Sequence, residues 1–96
     1  MKVRFTRSAK RDLDEIYAHI CQDNPTIASQ FVARIIERAQ TLADLPYEGM
    51  KTDEPHTRVI VAPRLRYFIF YRITSDEIHI THIRHMSRRR LKEWDR

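Results

Sequence analysis

The sequence predicts an α+β fold in which one strand precedes a helical hairpin and an antiparallel three-stranded meander, in the order β-α-α-β-β-β. Apolar and polar residues alternate over residues 2–6, as in a half-buried strand. Two apolar stripes with helical spacing follow, separated by one break. β-Branched and aromatic residues then dominate residues 57–61, 66–73 and 77–84. A chain of 96 residues has the length of one domain, so we predict a single domain over residues 1–96.

The first helix is predicted from one apolar stripe, which comprises Ala9, Leu13, Ile16, Tyr17 and Ile20. Thr6 or Ser8 can accept the capping hydrogen bond at its start. The helix is broken before Asn24 and Pro25, which suit the N-cap and the first position of a second helix. Two helices joined by so short a break are expected to lie antiparallel.

The second helix is predicted from apolar residues at helical spacing between Ala28 and Ala43. Pro46 and Gly49 are expected to end it. Residues 47–56 have no periodicity, and we predict a loop there.

The last predicted strand contains a shift in its alternation. Ile78 and Ile80 lie on one face, but the next isoleucine is Ile83, which predicts either a bulge or a second covered face of the strand. Simple alternation puts His79 and His82 on opposite faces, so we expect that they cannot share a metal ion. No Cys/His spacing resembles a zinc site, and we predict neither a metal nor another cofactor.

The tail beyond the last strand also allows a short helix over residues 87–96. Ser87 suits its N-cap, and Leu91 and Trp94 are spaced to pack inward. Arg88, Arg89, Arg90 and Lys92 crowd the same segment. We predict that these four side chains contact the target, because arginines form bidentate contacts with phosphates and carboxylates. A solvated tail is the alternative.

Charge is distributed unevenly along the chain. Residues 1–11 carry a net charge of +5, residues 12–62 carry −5, and residues 63–96 carry +5. If the first strand pairs near the last strands, the two basic segments merge into one positive region. Such a region suits a polyanion or an acidic protein segment, and a merely solvated surface is the alternative.

Hydropathy and cysteine content predict a cytoplasmic protein. No uncharged apolar run approaches the ~20 residues of a membrane span, and no apolar stretch follows the basic N-terminus as in a signal peptide. Cys21 is the only cysteine, so no internal disulfide can form, and we expect it to be a part-buried side chain of the first helix.

Six short patterns, in order, resemble the RelE/ParE superfamily of toxins. They are Ser8-x-x-x-Asp12-Leu13-x-x-Ile16-Tyr17, Asn24-Pro25-x-x-Ala28, Leu45-Pro46-x-x-Gly49, Arg58-Val59, Tyr67-x-Ile69-Phe70-Tyr71-Arg72-Ile73 and Ile78-x-Ile80-x-x-Ile83-x-His85. The resemblance implies the RelE/ParE-like fold and a toxin of a type II toxin–antitoxin pair, with a cognate antitoxin as its partner.

The resemblance leaves the target open, because members with one fold act differently. ParE-like members inhibit DNA gyrase by binding, and RelE-like members cut mRNA on the ribosome. The nuclease pattern carries over only to Glu48, a candidate base in Pro46-Tyr47-Glu48-Gly49. Phe68 stands where that pattern has an arginine, and Met86-Ser87 where it has His-Tyr.

A substitute nuclease set is conceivable, with Glu48 as base, Arg64 or Arg66 on phosphate and His85 as acid. The lysine-rich set of RelE-like enzymes is represented in the loop only by Lys51. We therefore favour a ParE-like inhibitor of gyrase, with a ribosome-dependent endoribonuclease as the alternative. A degenerate, non-toxic binding domain is a third interpretation.

Overall fold

The computed structural model describes residues 1–88, and it confirms the α+β fold. The elements are β1 (Lys2–Phe5), α1 (Arg7–Cys21), α2 (Pro25–Gln40), β2 (Met50–Lys51), β3 (Thr57–Ala62), β4 (Tyr67–Ile73) and β5 (Glu77–His85). Short 3-10 turns occupy Thr41–Ala43 and Met86–Arg88.

The five strands form one sheet in the order β1-β5-β4-β3-β2. β3, β4 and β5 form the predicted antiparallel meander, and β1 lies parallel to β5. The first strand therefore pairs with the last, which brings the two basic segments of the sequence together.

The two helices cover one face of the sheet and enclose the core between the layers. Thr6 caps α1, its hydroxyl accepting from the Ala9 amide at 3.2 Å. Asn24 caps α2, its side-chain oxygen accepting from the Ile27 amide at 3.1 Å, and Pro25 takes the first helical position. The cap by Asn24 was predicted, and Thr6 is one of the two caps, Thr6 or Ser8, that were predicted for α1. The largest fully buried side chains are Tyr71, Ile35, Leu42, Ile69, Ile78 and Ile80.

Two predictions were wrong, one for the end of the second helix and one for the loop that follows it. α2 ends at Gln40, and the chain continues as a 3-10 turn over Thr41–Ala43. Gly49 therefore does not end the helix. The region predicted as a loop also contains β2, whose two residues pair with Val59 and Arg58 of β3.

The bulge in β5 is confirmed. Tyr71 pairs with Ile80 and Phe70 with His82, so Thr81 has no partner across the ladder. The extra residue resets the alternation. His82 therefore lies opposite Phe70 in the register, on the same face as His79, and the prediction of opposite faces was wrong.

The tail prediction falls outside the described residues, because Leu91 and Trp94 lie beyond residue 88. Ser87 is described, and it lies within the 3-10 turn of Met86–Arg88. Within residues 1–88, no helix is both long and apolar enough to cross a membrane. Cys21 is partly buried at the end of α1, as expected.

Candidate functional site

The four candidate catalytic residues lie toward one end of the sheet, but not in one cluster. Arg64 and Arg66 belong to the exposed turn between β3 and β4. His85 ends β5 and lies opposite Tyr67. The Met86 amide donates to the Arg66 carbonyl at 2.8 Å, so the turn and the end of β5 are adjacent.

Glu48 lies instead beyond the edge of β3, in a bidentate ion pair with Arg38 of α2. The Arg38 Nη1 and Nη2 atoms donate to its two carboxylate oxygens at 3.3 and 3.0 Å. Arg38 Nε donates to the Val61 carbonyl of β3 at 3.0 Å. Since β4 separates β3 from β5, the backbones at Glu48 and His85 are roughly 10 Å apart or more. The structure does not bring the predicted base and acid together.

The Arg38–Glu48 pair has a structural consequence for β3. β2 pairs only with Arg58 and Val59, which leaves the remainder of the β3 edge without a strand beside it. The Arg38 guanidinium hydrogen-bonds the Val61 carbonyl at this edge, and Glu48 holds the guanidinium in place. An uncovered edge is a template for pairing with another chain, so this contact protects the sheet.

Asp12 of α1 protects an unpaired stretch of β5, on the other side of the meander. β1 pairs with β5 only as far as Ile80. Three residues further on, the Ile83 amide donates to the Asp12 carboxylate at 2.9 Å. The His82 Nδ1 atom lies 3.9 Å from the same carboxylate. Each helix therefore contributes one charged side chain to an unpaired stretch of strand.

The loop before β2 is fixed to the sheet by Tyr71. The Tyr71 hydroxyl donates to the Pro46 carbonyl at 2.8 Å and accepts from the Gly49 amide at 2.9 Å. Burial raises the pKa of Tyr71, and the hydrogen bond from Gly49 opposes that rise. Arg58 adds to the clamp, because its Nη1 donates to the Gly49 carbonyl at 2.7 Å and its guanidinium lies 5.1 Å from the Tyr47 ring centre.

His85 is held by contacts of its own. Its Nδ1 atom lies 2.7 Å from the Ser87 hydroxyl and accepts from the Ser87 amide at 3.0 Å. Its ring meets the Tyr67 ring edge to face, with centres 4.9 Å apart. These contacts fit a structural role for His85 at the end of β5.

Two surface concavities lie at opposite ends of the sheet. One, of about 450 Å³, lies between α1 and the end of β5, and its lining includes Asp12, Glu15, Ile16, His19, Tyr67 and Ile83. The other, of about 460 Å³, lies beside β2, and its lining includes Tyr47, Lys51, His56 and Arg58. Within residues 1–88, no three histidine, cysteine or acidic side chains come together as metal ligands would.

Comparison with known proteins identifies the family. Residues 3–90 match the family model described as the ParE toxin of the type II toxin–antitoxin system parDE. The chain belongs to the ParE toxin family. It is 40% identical over 75 residues to Y4kP of Sinorhizobium fredii, and the match covers 78% of each chain.

Solved structures share the toxin fold. The chromosomal ParDE toxin–antitoxin system from P. aeruginosa contains a chain that is 28% identical, with a TM-score of 0.79, and the match covers 88% of this toxin and 95% of that chain. A chain of the RelBE2 toxin–antitoxin complex from Mycobacterium tuberculosis has a TM-score of 0.63 at 24% identity, with the same coverage, and it supports the fold alone.

Sequence reasoning missed the roles of Arg38 and Asp12 in this toxin. Both lie on exposed or partly exposed positions of amphipathic helices, where a charged side chain is the ordinary case. Their partners, Val61 and Ile83, are 23 and 71 residues away in the chain. Asp12 was noticed only as part of the family pattern. Of the predicted target-binding residues, Arg89, Arg90 and Lys92 lie outside the described residues, and of Arg88 only the backbone is described.

Proposed function

We propose that this ParE-family toxin inhibits DNA gyrase by binding to it, without cutting nucleic acid. The observation that carries the proposal is the position of Glu48. Its carboxylate is held by both terminal nitrogens of Arg38, beyond the edge of β3, while His85 lies two strands away on β5. General base and acid catalysis of RNA cleavage needs both groups within hydrogen-bond reach of one phosphodiester.

The alternative is a ribosome-dependent endoribonuclease, and one observation favours it. Arg66, in the turn before β4, is adjacent to His85 at the end of β5. The Arg66 cation and a proton donor at His85 can therefore reach one phosphate. This alternative needs a base other than Glu48, or a rearrangement that releases Glu48 from Arg38.

We also propose a cognate antitoxin that holds the toxin inactive in the cytoplasm. Its binding segment occupies the concavity between α1 and β5. Apolar side chains of Ile16 and Ile83 line that concavity, with carboxylates of Asp12 and Glu15 at its side. The similar chain from P. aeruginosa comes from a ParDE toxin–antitoxin system, which supports a partner of this kind.

The basic tail belongs to the same proposal. Arg88, Arg89, Arg90 and Lys92 contact the target, so a triple Arg→Ala variant of the three arginines should arrest growth much less than the wild type. Circular dichroism serves as the control for the fold. Undiminished arrest by a well-folded triple variant would show that the tail is only a solvated end.

The test of the target compares RNA ends after the toxin is induced in cells. Under the gyrase proposal, growth stops and primer extension on abundant mRNAs finds no new codon-positioned ends. New ends that disappear in Glu48→Gln and in His85→Ala variants would instead establish the endoribonuclease. An induced, folded protein that does not slow growth would support the degenerate binding domain.

A further inference from the structure

The face of the sheet that the helices leave uncovered is strongly cationic. Its outward positions on β1, β4 and β5 carry Lys2, Arg4, Arg72 and Arg84. Glu77 is the only carboxylate at the outward positions of the five strands. We call these five residues and His79 the cationic sheet face.

The strand register fixes the spacing of these charges. Arg4 and Arg72 both lie opposite His79, so the three residues form one row across β1, β5 and β4. Strands are about 4.8 Å apart, which puts Arg4 and Arg72 roughly 10 Å from each other. Arg84 of β5 pairs with Phe68, which is four residues along β4 from Arg72, so Arg84 and Arg72 are roughly 14 Å apart.

Among residues 1–88, few carboxylates compensate the positive charge of the cationic sheet face. Glu77 accepts from Arg4 at 3.5 Å and lies 2.9 Å from the His79 Nε2 atom, so it is already engaged. The hydrogen bond with His79 is the main reason why the pKa of Glu77 lies below its usual value, and it therefore stays ionised. Neither Arg72 nor Arg84 forms an ion pair with any residue in the described range 1–88.

We propose that the cationic sheet face binds the phosphate backbone of duplex DNA. The spacings of roughly 10 and 14 Å are close to the ~12 Å width of the major groove, so cations on the two sides can reach phosphates of both strands. The binding is sequence-independent, because phosphate contacts carry no base information. It goes beyond gyrase inhibition and does not depend on it, because it is measured with DNA alone.

The aromatic residues favour a duplex over a single strand. Proteins that bind single-stranded nucleic acid stack its bases on exposed aromatic rings. Phe68, on the same face, is only 8% exposed, and Phe70 is partly buried. The exposed aromatic residues in the described part of the chain are Tyr17 and Tyr47, which lie on α1 and in the loop before β2. The face offers cations without a stacking platform.

The test is binding of the purified toxin to a short, fluorescently labelled DNA duplex across a salt series. Net neutralisation of three phosphates predicts a slope of about −3 in log K against log salt, at about 0.9 per contact. Arg72→Ala and Arg84→Ala should each weaken binding and make the slope less steep by about 1. Arg34→Ala, which removes the same charge from an exposed position of α2, is the matched control and should bind as the wild type does.

Three outcomes would overturn the proposal. The first is no binding to the duplex at low salt. The second is an equal loss in the Arg34→Ala control, because attraction would then follow total charge and not this face. The third is stronger binding to polyglutamate or to single-stranded RNA, which would assign the face to an acidic protein segment or to RNA. A supercoiling assay on the same variants reports separately on gyrase inhibition.

Discussion

The Tyr71 hydroxyl and the Gly49 amide are 2.9 Å apart, and both are buried. This contact joins the loop that carries Glu48 to the centre of the sheet. A Cβ atom at Gly49 would lie 2.6 Å from the Tyr71 hydroxyl and 2.8 Å from the Val59 carbonyl. Glycine is therefore required here by space, since its backbone does not have a positive φ.

Gly49→Ala should destabilise the protein, because the added methyl group meets both the Tyr71 ring and the backbone of β3. We expect a loss of ~1–3 kcal/mol in the free energy of unfolding, as for other overpacked sites. Chemical denaturation measures it. Ala18→Gly is the control, because it exchanges the same two residue types in the opposite direction at an exposed position of α1. It should lower the free energy of unfolding by only ~1 kcal/mol or less. A Gly49→Ala variant as stable as the wild type would contradict the close contact.

Tyr71 also predicts a pH dependence. Burial raises its pKa in the folded protein above the usual value of 10.0, so the folded state holds its proton more tightly than the unfolded state does. The resulting stabilisation is complete below pH 10.0 and is lost as the pH rises above it. Above this pH, the free energy of unfolding should fall less in Tyr71→Phe than in the wild type, because phenylalanine has no hydroxyl to titrate.

The same Tyr71→Phe variant should be less stable at neutral pH by ~1–3 kcal/mol, because the Gly49 amide and the Pro46 carbonyl both lose a partner. Tyr47→Phe is the matched control, since the Tyr47 side chain is exposed. Both quantities come from denaturation curves recorded over a pH series. Identical pH profiles for the wild type and Tyr71→Phe would refute the assignment.

Structural features were predictable from the sequence when the interacting residues are close together along the chain. The caps by Thr6 and Asn24 act within three residues, and the bulge follows from the spacing of isoleucines in one strand. β2 was missed because Met50 and Lys51 form a strand only through pairing with β3. Gly49 was misassigned because a glycine after a helical stripe is also typical of a helix end.

The candidate site was less predictable than the fold. Glu48 was taken from a family pattern, and the other candidates were added as a substitute set. A pattern along the chain does not say which side chains meet. Glu48 was considered as a free base, but a cation ten residues earlier, Arg38, holds it. That contact depends on how α2 lies against β3, which the sequence alone does not specify.

Glu48 should act through stability and not through catalysis. Glu48→Gln removes the ion pair, and we expect a loss of at most about 1 kcal/mol, because both side chains are partly exposed. A double-mutant cycle with Arg38→Met measures the coupling by denaturation. We expect growth arrest by Glu48→Gln to remain close to that of the wild type. Complete loss of arrest with an unchanged fold and stability would point to a catalytic carboxylate.

Asp12 should protect the free edge of β5. Asp12→Ala leaves the Ile83 amide without its acceptor, which should cost ~1 kcal/mol and speed hydrogen exchange at that amide. Asp14→Ala is the control, because Asp14 is an exposed carboxylate on the same helix and has no hydrogen-bond partner among residues 1–88. If exchange at Ile83 is equally fast in both variants, Asp12 does not protect the edge.

The measurement that tests the proposed function most directly is DNA supercoiling by purified gyrase in the presence of this toxin. We predict that the toxin inhibits supercoiling, that added cognate antitoxin restores it, and that the Glu48→Gln variant inhibits as the wild type does. The same preparation should leave mRNA intact on translating ribosomes. Undisturbed supercoiling, together with cleavage of ribosome-bound mRNA, would contradict the account.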